Sequence, residues 1–440
     1  MNFTMKRSDI RKLKEKEPNA LIEFMKTEKH YFKDLQDDLK KIRDPRHQSY
    51  ITYGIEEIIH PLIMKNVCNL QSMQAMTNQF NDEVIIKNFG LMIGKEEKEE
   101  LPHYVTINDC LKGLENKELE KIRTKMIRSL IRKRSFEKAR FQDKYWLIVV
   151  DATQIFSFKE RHCKHCLTRT HIDEKTGEAT IRYYHNVLEA KIILGDSLVV
   201  SIGTEFIENE KENVSKQDCE RNAFKRLAKK LKKSFKRLPI CIMGDSLYAC
   251  EPVFKICDEY DWKYLIRFKD GSIRSVAKEF HELKDMEMEN QKDEMKWVNG
   301  IGYNQRTVNV MEYHFQKKEK NIRFQWITNV KITGKTAKEF AETGRKRWKI
   351  ENEGFNIQKN HRYNITHANS LDYNAMKNHY LIIQIADILL QLYEQGAAII
   401  RQLKKSIKNI SSDLLNSFGR LTLTKEDILQ TKKRISINVS

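Results

Sequence analysis

Residues 145–153, Tyr-Trp-Leu-Ile-Val-Val-Asp-Ala-Thr, form a continuous β-favouring apolar run that closes on a carboxylate, Asp151. A run without polar alternation suits a strand buried on both faces in the middle of a sheet. On this reading Asp151 sits at the strand's end. The same arrangement returns downstream, where Ile240-Cys241-Ile242-Met243 runs into Gly244-Asp245-Ser246 after Leu238-Pro239 stops a basic helical segment over residues 216–237. Between the two, residues 182–190 and 191–205 read as strands around Leu194-Gly195-Asp196-Ser197, whose Gly-Asp pair supplies turn chemistry for a hairpin. Residues 249–260 then read as a helix and 264–268 as a strand. Strands alternating with helices predict an α/β fold.

Working outward, residues 1–140 are charged and helical in pattern, with apolar residues at helical spacing through Leu111, Leu114, Leu119, Ile122, Met126 and Leu130. This predicts a separate helical region. Its end carries Arg128, Arg132, Lys133, Arg134, Lys138 and Arg140, a density that fits a phosphate backbone or a solvated helix face. The α/β part is assigned to 141–268 and, after a β-rich insertion over 269–332, to 333–375. Thr336 reads as the cap of a helix running through Lys359 that carries Glu351. Residues 376–440 form a C-terminal helical region. The apolar stretch 380–400 is broken by Gln384, Asp387, Gln391 and Glu394, so a buried or amphipathic helix explains it better than a membrane span.

Composition narrows the partner. The 440 residues hold 80 Lys and Arg against 61 Asp and Glu, a net charge of +19 that points to a polyanion. Nucleic acid leads, although ribosomal, membrane-surface and merely soluble basic proteins share such a balance. Eight scattered cysteines and no opening apolar segment suggest a reduced, cytoplasmic protein with free thiols.

Carboxylates at the ends of two central strands, with a third on a neighbouring helix, suit one kind of chemistry. Two divalent cations roughly 3.5–4 Å apart can activate an attacking oxygen and stabilise a leaving one on phosphorus, and convergent carboxylates hold them. Asp151, Asp245 and Glu351 occupy those element types in that order.

The wording around these acids resembles the DDE transposases of the insertion sequence 4-like family. Val150-Asp151-Ala152-Thr153 matches the first-acid strand and Met243-Gly244-Asp245-Ser246-Leu247-Tyr248 the second. The most specific piece is residues 347–359, Arg-Trp-Lys-Ile-Glu-Asn-Glu-Gly-Phe-Asn-Ile-Gln-Lys, which looks like the family's Tyr, Arg, Glu, Lys signature. Arg347 precedes Glu351 by four residues as the family requires. Two positions depart from the pattern: Gly344 stands where the family has Tyr, and Lys359 follows Glu351 by eight residues rather than seven. Glu353 is the rival third acid. The long gap between Asp245 and Glu351 also fits the family, whose members carry a β insertion there.

The resemblance implies a ribonuclease-H-like core that binds Mg²⁺, or Mn²⁺, through Asp151, Asp245 and Glu351, and that cuts element ends and joins them to target DNA. Double-stranded DNA with terminal inverted repeats is the implied partner, a homodimer the implied assembly, and a bacterial-type, nucleoid-associated location the implied setting. Arg347 and Lys359 would contact terminal phosphates, and Trp297 would be the aromatic of the insertion that stacks on a flipped base; an ordinary core Trp is the plain alternative. Lys229 and Lys233, within the basic run that ends at Arg237, are candidate backbone contacts. A metal nuclease of the same fold, or a catalytically dead DNA-binding relative, would keep most of these features.

One cluster stands apart. His162-Cys163-Lys164-His165-Cys166, with His171 and His185 following, places two thiolates at the bite tetrahedral Zn²⁺ wants, so Cys163 and Cys166 are candidate zinc ligands. Buried free thiols are the alternative. Asp218 and Glu220 precede the basic helix, where a helix N-terminus accounts for them and a supporting role near the metals is the second reading.

Overall fold

The computed structural model describes residues 19–212, 214–317, 320–396 and 405–431. Parts of the expected terminal helical regions (1–18, 397–404 and 432–440) and residues 318 and 319 of the expected insertion lie outside them. The chain packs as two units. One comprises residues 1–136, 196–200 and 356–440; the other comprises 137–195 and 201–355.

The first unit is helical, and its organising element is the helix Tyr373–Gly396, buried around nearly its whole circumference. Helices Ala20–Tyr31, Ile55–Val67, Tyr104–Gly113 and Asn116–Ile131 all pack on it. The polar residues that interrupt its apolar run are satisfied internally, because Gln358 and Gln391 both donate to the Asp387 carboxylate, at 2.8 and 2.9 Å. Buried polar groups kept this way avoid the desolvation penalty of an unpaired one. No described helix is long and apolar enough to cross a membrane. The described parts of the N- and C-terminal helical regions share this unit, since a helix apolar on all sides needs cover from several directions.

The second unit is α/β and centres on a mixed sheet. Its strands are β1 (Trp146–Phe158), β2 (Leu167–Ile172), β3 (Ala179–Ile193), β4 (Val199–Ile207), β5 (Ile240–Gly244), β6 (Lys263–Arg267), β7 (Gln291–Lys292), β8 (Met295–Tyr303), β9 (Arg306–Lys317) and β10 (Lys320–Thr328). The order is β2-β3-β1-β5-β6-β10-β9-β8-β7, with β4 paired to β3. Strands β1, β5 and β6 run parallel, so their connections must cross over, and the helix α1 (Glu220–Ser234) serves the first crossover while α2 (Glu251–Tyr260) serves the second. The hairpin expected around Gly195 is present as β3 and β4.

Within the β-rich stretch 269–332 a helix, α3 (Arg274–Leu283), precedes the strands, and β10 pairs antiparallel with β6, so this stretch extends the central sheet. One expectation is corrected by the structure. Thr336 does precede the helix α4 (Ala337–Arg345), but it makes no side-chain cap; its hydroxyl accepts instead from the Thr333 amide at 3.0 Å.

Candidate active site

Strand register brings the first two acids together. The last paired residues of β1 and β5 are Val149 and Met243, and Asp151 and Asp245 each lie two residues beyond them. Two carboxylates therefore leave adjacent parallel strands at the same level and on the same face. Asp151 is not the end of its strand, as the sequence suggested. β1 continues to Phe158 along β3, where Asp151 faces Glu189, and only the β5 side is released. That release comes from β5, which stops at Gly244 because the chain turns sharply there. Asp245 caps the turn, its Oδ1 accepting from the Leu247 amide at 2.8 Å. Tyr248 folds back over Gly244 so closely that a Cβ there would meet its ring at 2.7 Å, which is why glycine is required.

The third acid arrives on a helix. After α4 the chain makes a short 3₁₀ turn, Lys346–Trp348, and enters α5 (Ile350–His361), a helix with the wider i→i+5 turns of the π type. Such turns are rare and cluster at functional sites. Arg347 reaches the Glu351 carboxylate at 2.8 Å and lies 3.7 Å from Asp151 Oδ2, so one guanidinium links the two acids. Glu353, the rival, pairs with Lys349 at 3.1 Å instead. The departure at Gly344 has a steric cause: a Cβ there would overlap the Trp326 indole, leaving no room for a Tyr.

A fourth acid joins them that sequence reasoning had set at the helix N-terminus. Glu220, in the first turn of α1, accepts a 2.5 Å hydrogen bond from the Tyr248 hydroxyl. It is the largest charged influence on Asp151. Burial first, then Glu220, and to a smaller extent Glu351 and Asp245, push the Asp151 carboxyl up to about 7, with Arg347 opposing them. Glu220 is itself raised, mainly by burial and next by Asp245, while the Tyr248 bond pulls it down. The direction is that of a buried carboxyl whose acidic neighbours add to the cost of ionising it.

A second guanidinium stands near. Burial, followed by repulsion from Arg347 and Arg323, lowers Arg267 to about 10. Positive charges that oppose each other in a half-buried setting are suited to an anion, and phosphate is the group that Arg forks recognise bidentately. Arg267 does not stand out in sequence and becomes informative only once the sheet places it, whereas Glu220 takes the second of its two sequence readings, an acid beside Asp151.

The remaining sequence candidates divide between surface and interior. Lys229 and Lys233 are exposed on α1, on the face opposite Phe224, Leu227 and Leu231, together with Lys225. Arg226 and Lys230 of the same helix are instead bound to Glu205, at 2.6 and 2.7 Å. Trp297 is a correction: at 1 % exposure on β8 its ring offers no face for stacking, so it takes the plain core reading. The exposed indole near the acids is Trp348, 49 % exposed, with the Arg347 guanidinium 4.6 Å over its ring. Lys359 shares α5 with Glu351 but belongs to the helical unit. Cys163 and Cys166 meet His185, and among the described residues these three are the group whose metal-binding atoms all lie within 4.8 Å of one another. Among the described residues the carboxylates form no such tight group, and Arg347 links Asp151 with Glu351.

The donor set suits hard divalent cations. It offers only carboxylate oxygens, which Mg²⁺ and Mn²⁺ prefer, and the raised Asp151 marks uncompensated negative charge that such cations would relieve. Residues 209–389 match the family model described as the transposase DDE domain. That span takes in Asp245 and Glu351 and begins after Asp151. No curated protein matches the chain.

Proposed function

The chain carries the DDE domain of transposases, and from that premise we propose that it is a metal-dependent DNA transposase of the insertion sequence 4-like kind, built on a ribonuclease-H-like core. The observation that carries the finer reading is the shared register of Asp151 and Asp245 with Glu351 linked to Asp151 through Arg347. Divalent cations held by Asp151, Asp245 and Glu351 would supply Lewis-acid activation of the attacking oxygen and neutralise charge on the leaving one.

The chain's own groups do the rest. Arg347, the counter-ion of Asp151 and Glu351 here, is positioned to exchange carboxylate for phosphate oxygens as the scissile strand enters, and Arg267, held by the Gln325 and Arg323 carbonyls, adds positive potential. Glu220, fixed by the Tyr248 hydroxyl, deepens the negative potential at Asp151 and so favours cation capture. Lys225, Lys229 and Lys233 form an exposed basic stripe along which a DNA backbone would run. Lys359 keeps its proposed role as a phosphate contact. In the reaction, water attacks the phosphodiester at an element end and frees a 3′ hydroxyl, which then attacks a target phosphodiester and displaces its 3′ oxygen. A homodimer would hold two ends at once.

The test is cleavage and joining of a labelled fragment bearing the element's own terminal repeats, in Mg²⁺ or Mn²⁺. Wild type should nick at the repeat end and join the freed hydroxyl to target, while Asp151→Asn, Asp245→Asn and Glu351→Gln bind the fragment in a gel shift without cutting it. Nicking without joining would make the protein a nuclease of the same fold. Binding with no nicking by wild type would make it a DNA-binding relative only.

A further inference from the structure

We propose that Cys163, Cys166 and His185 hold a structural Zn²⁺ ion that anchors the β1–β2 connection and, through it, the segment leading into α1. The proposal is independent of the carboxylate site.

The geometry is that of three corners of a tetrahedron. Zn–S bonds of about 2.3 Å and Zn–N bonds of about 2.0–2.1 Å at tetrahedral angles require an S···S edge of about 3.8 Å and S···N edges of about 3.5–3.6 Å. Cys163 Sγ and Cys166 Sγ are 3.8 Å apart, and His185 Nε2 lies 3.4 and 3.5 Å from them. The sulfurs are far outside disulfide distance, about 2.0 Å, and both cysteines are free. Two thiolates and a neutral imidazole cancel the charge of Zn²⁺, so a neutral centre is buried rather than a charged one. That matters because Cys166 and His185 are fully buried. Cys163 is only partly so, and tetrahedral Zn²⁺ takes a fourth ligand beyond these three. The Cys163 amide also points at the Cys166 sulfur, at 3.4 Å, a donor that would stabilise thiolate charge.

Sequence alone left the third ligand open. His185 is distant from the Cys-x-x-Cys pair along the chain, and it is the antiparallel register of β3 on β1, with His185 opposite Phe156, that delivers it.

The ion would hold more than a loop. Residues 159–166 lack regular backbone pairing, yet they fix the segment that leaves β4. His165 Nδ1 and the Asn209 carbonyl oxygen lie 2.8 Å apart, Asn209 donates to the Cys166 carbonyl at 3.0 Å, and the Asp218 amide donates to Asn209 at 3.1 Å. Gln217 brackets Thr168, accepting from its amide at 2.6 Å and donating to its carbonyl at 3.0 Å. Glu220 comes directly after, at the start of α1. The zinc knuckle therefore sets where the basic helix begins.

The experiment is metal analysis of the full-length protein purified without chelator. Close to one zinc per chain is expected for wild type and for Asp245→Asn, which separates this site from the carboxylates. Cys163→Ser, Cys166→Ser and His185→Ala should each lower the zinc content at least roughly tenfold. Because these variants could fail to fold, wild type stripped of metal is also titrated with Co²⁺. Thiolate-to-cobalt charge transfer with intense tetrahedral ligand-field bands is expected. Absence of those bands in folded wild type, or zinc that disappears in Asp245→Asn and persists in Cys166→Ser, overturns the proposal.

Discussion

Asp151→Asn should stabilise the metal-free protein above neutral pH. A carboxyl held near 7 rather than at its ordinary 3.8 costs about 4 kcal/mol more to ionise in the folded chain than in the unfolded one. The sign is set by proton binding. Between about pH 4 and about 7 the native state holds a proton that the unfolded state has lost, so the stability this group contributes is fully present below pH 4 and is lost as pH rises through about 7. At pH 8 wild type carries the whole cost of an ionised Asp151 beside Glu220, Glu351 and Asp245, with Arg347 offsetting part of it. Asparagine removes the charge and can still accept from the Ala152 amide, which bonds Asp151 Oδ1 at 2.9 Å. Urea unfolding of the α/β unit in chelator, monitored from pH 5 to pH 8, should show Asp151→Asn gaining stability over wild type towards pH 8, by up to about 4 kcal/mol. Glu220→Gln should move the wild-type midpoint to lower pH. If Asp151→Asn is no more stable than wild type at pH 8, the cost assigned here to ionising a buried Asp151 among acidic neighbours is wrong.

Mg²⁺ should raise the melting temperature of wild type, by about 2.7 kcal/mol of stability at a hundredfold excess over Kd, and should leave Asp245→Asn unmoved; differential scanning calorimetry reads this directly. Gly344→Ala should cost about 1–3 kcal/mol in thermal unfolding, because its Cβ has nowhere to go but into the buried Trp326 ring. Replacing both Lys229 and Lys233 with Ala should flatten the salt dependence of DNA binding, each lost phosphate contact reducing the log–log slope by about 0.9. An unchanged slope in filter binding would mean that the α1 stripe does not face DNA.

Features that the chain writes locally were legible in advance. Unbroken apolar runs before Asp151 and Asp245 marked central strands, and the four-residue spacing of Arg347 and Glu351 marked one helical face; both kinds of signal survive without knowing the fold. Features that depend on long-range pairing were lost. Glu220 looked like a helix-start acid until parallel pairing of β1 with β5 set Asp151 within its reach. His185 became the partner of Cys163 and Cys166 only through strand register. For Trp297 the sequence left a stacking role and an ordinary core place open, and the core place follows once its strand is joined through β9 and β10 to β6. That the two terminal helical regions pack together was not legible either, because nothing in one segment reveals that Tyr373–Gly396 is covered by helices of the other.

The central claim is that Asp151, Asp245 and Glu351 act as cation ligands in DNA cleavage. The most direct measurement is cleavage of terminal-repeat DNA by Asp245→Cys in Mg²⁺ and in Mn²⁺, because a thiolate binds hard Mg²⁺ poorly and accepts the softer Mn²⁺. Loss of cutting in Mg²⁺ with recovery in Mn²⁺ is the predicted result. Wild-type cutting by Asp245→Cys in Mg²⁺ would contradict the account.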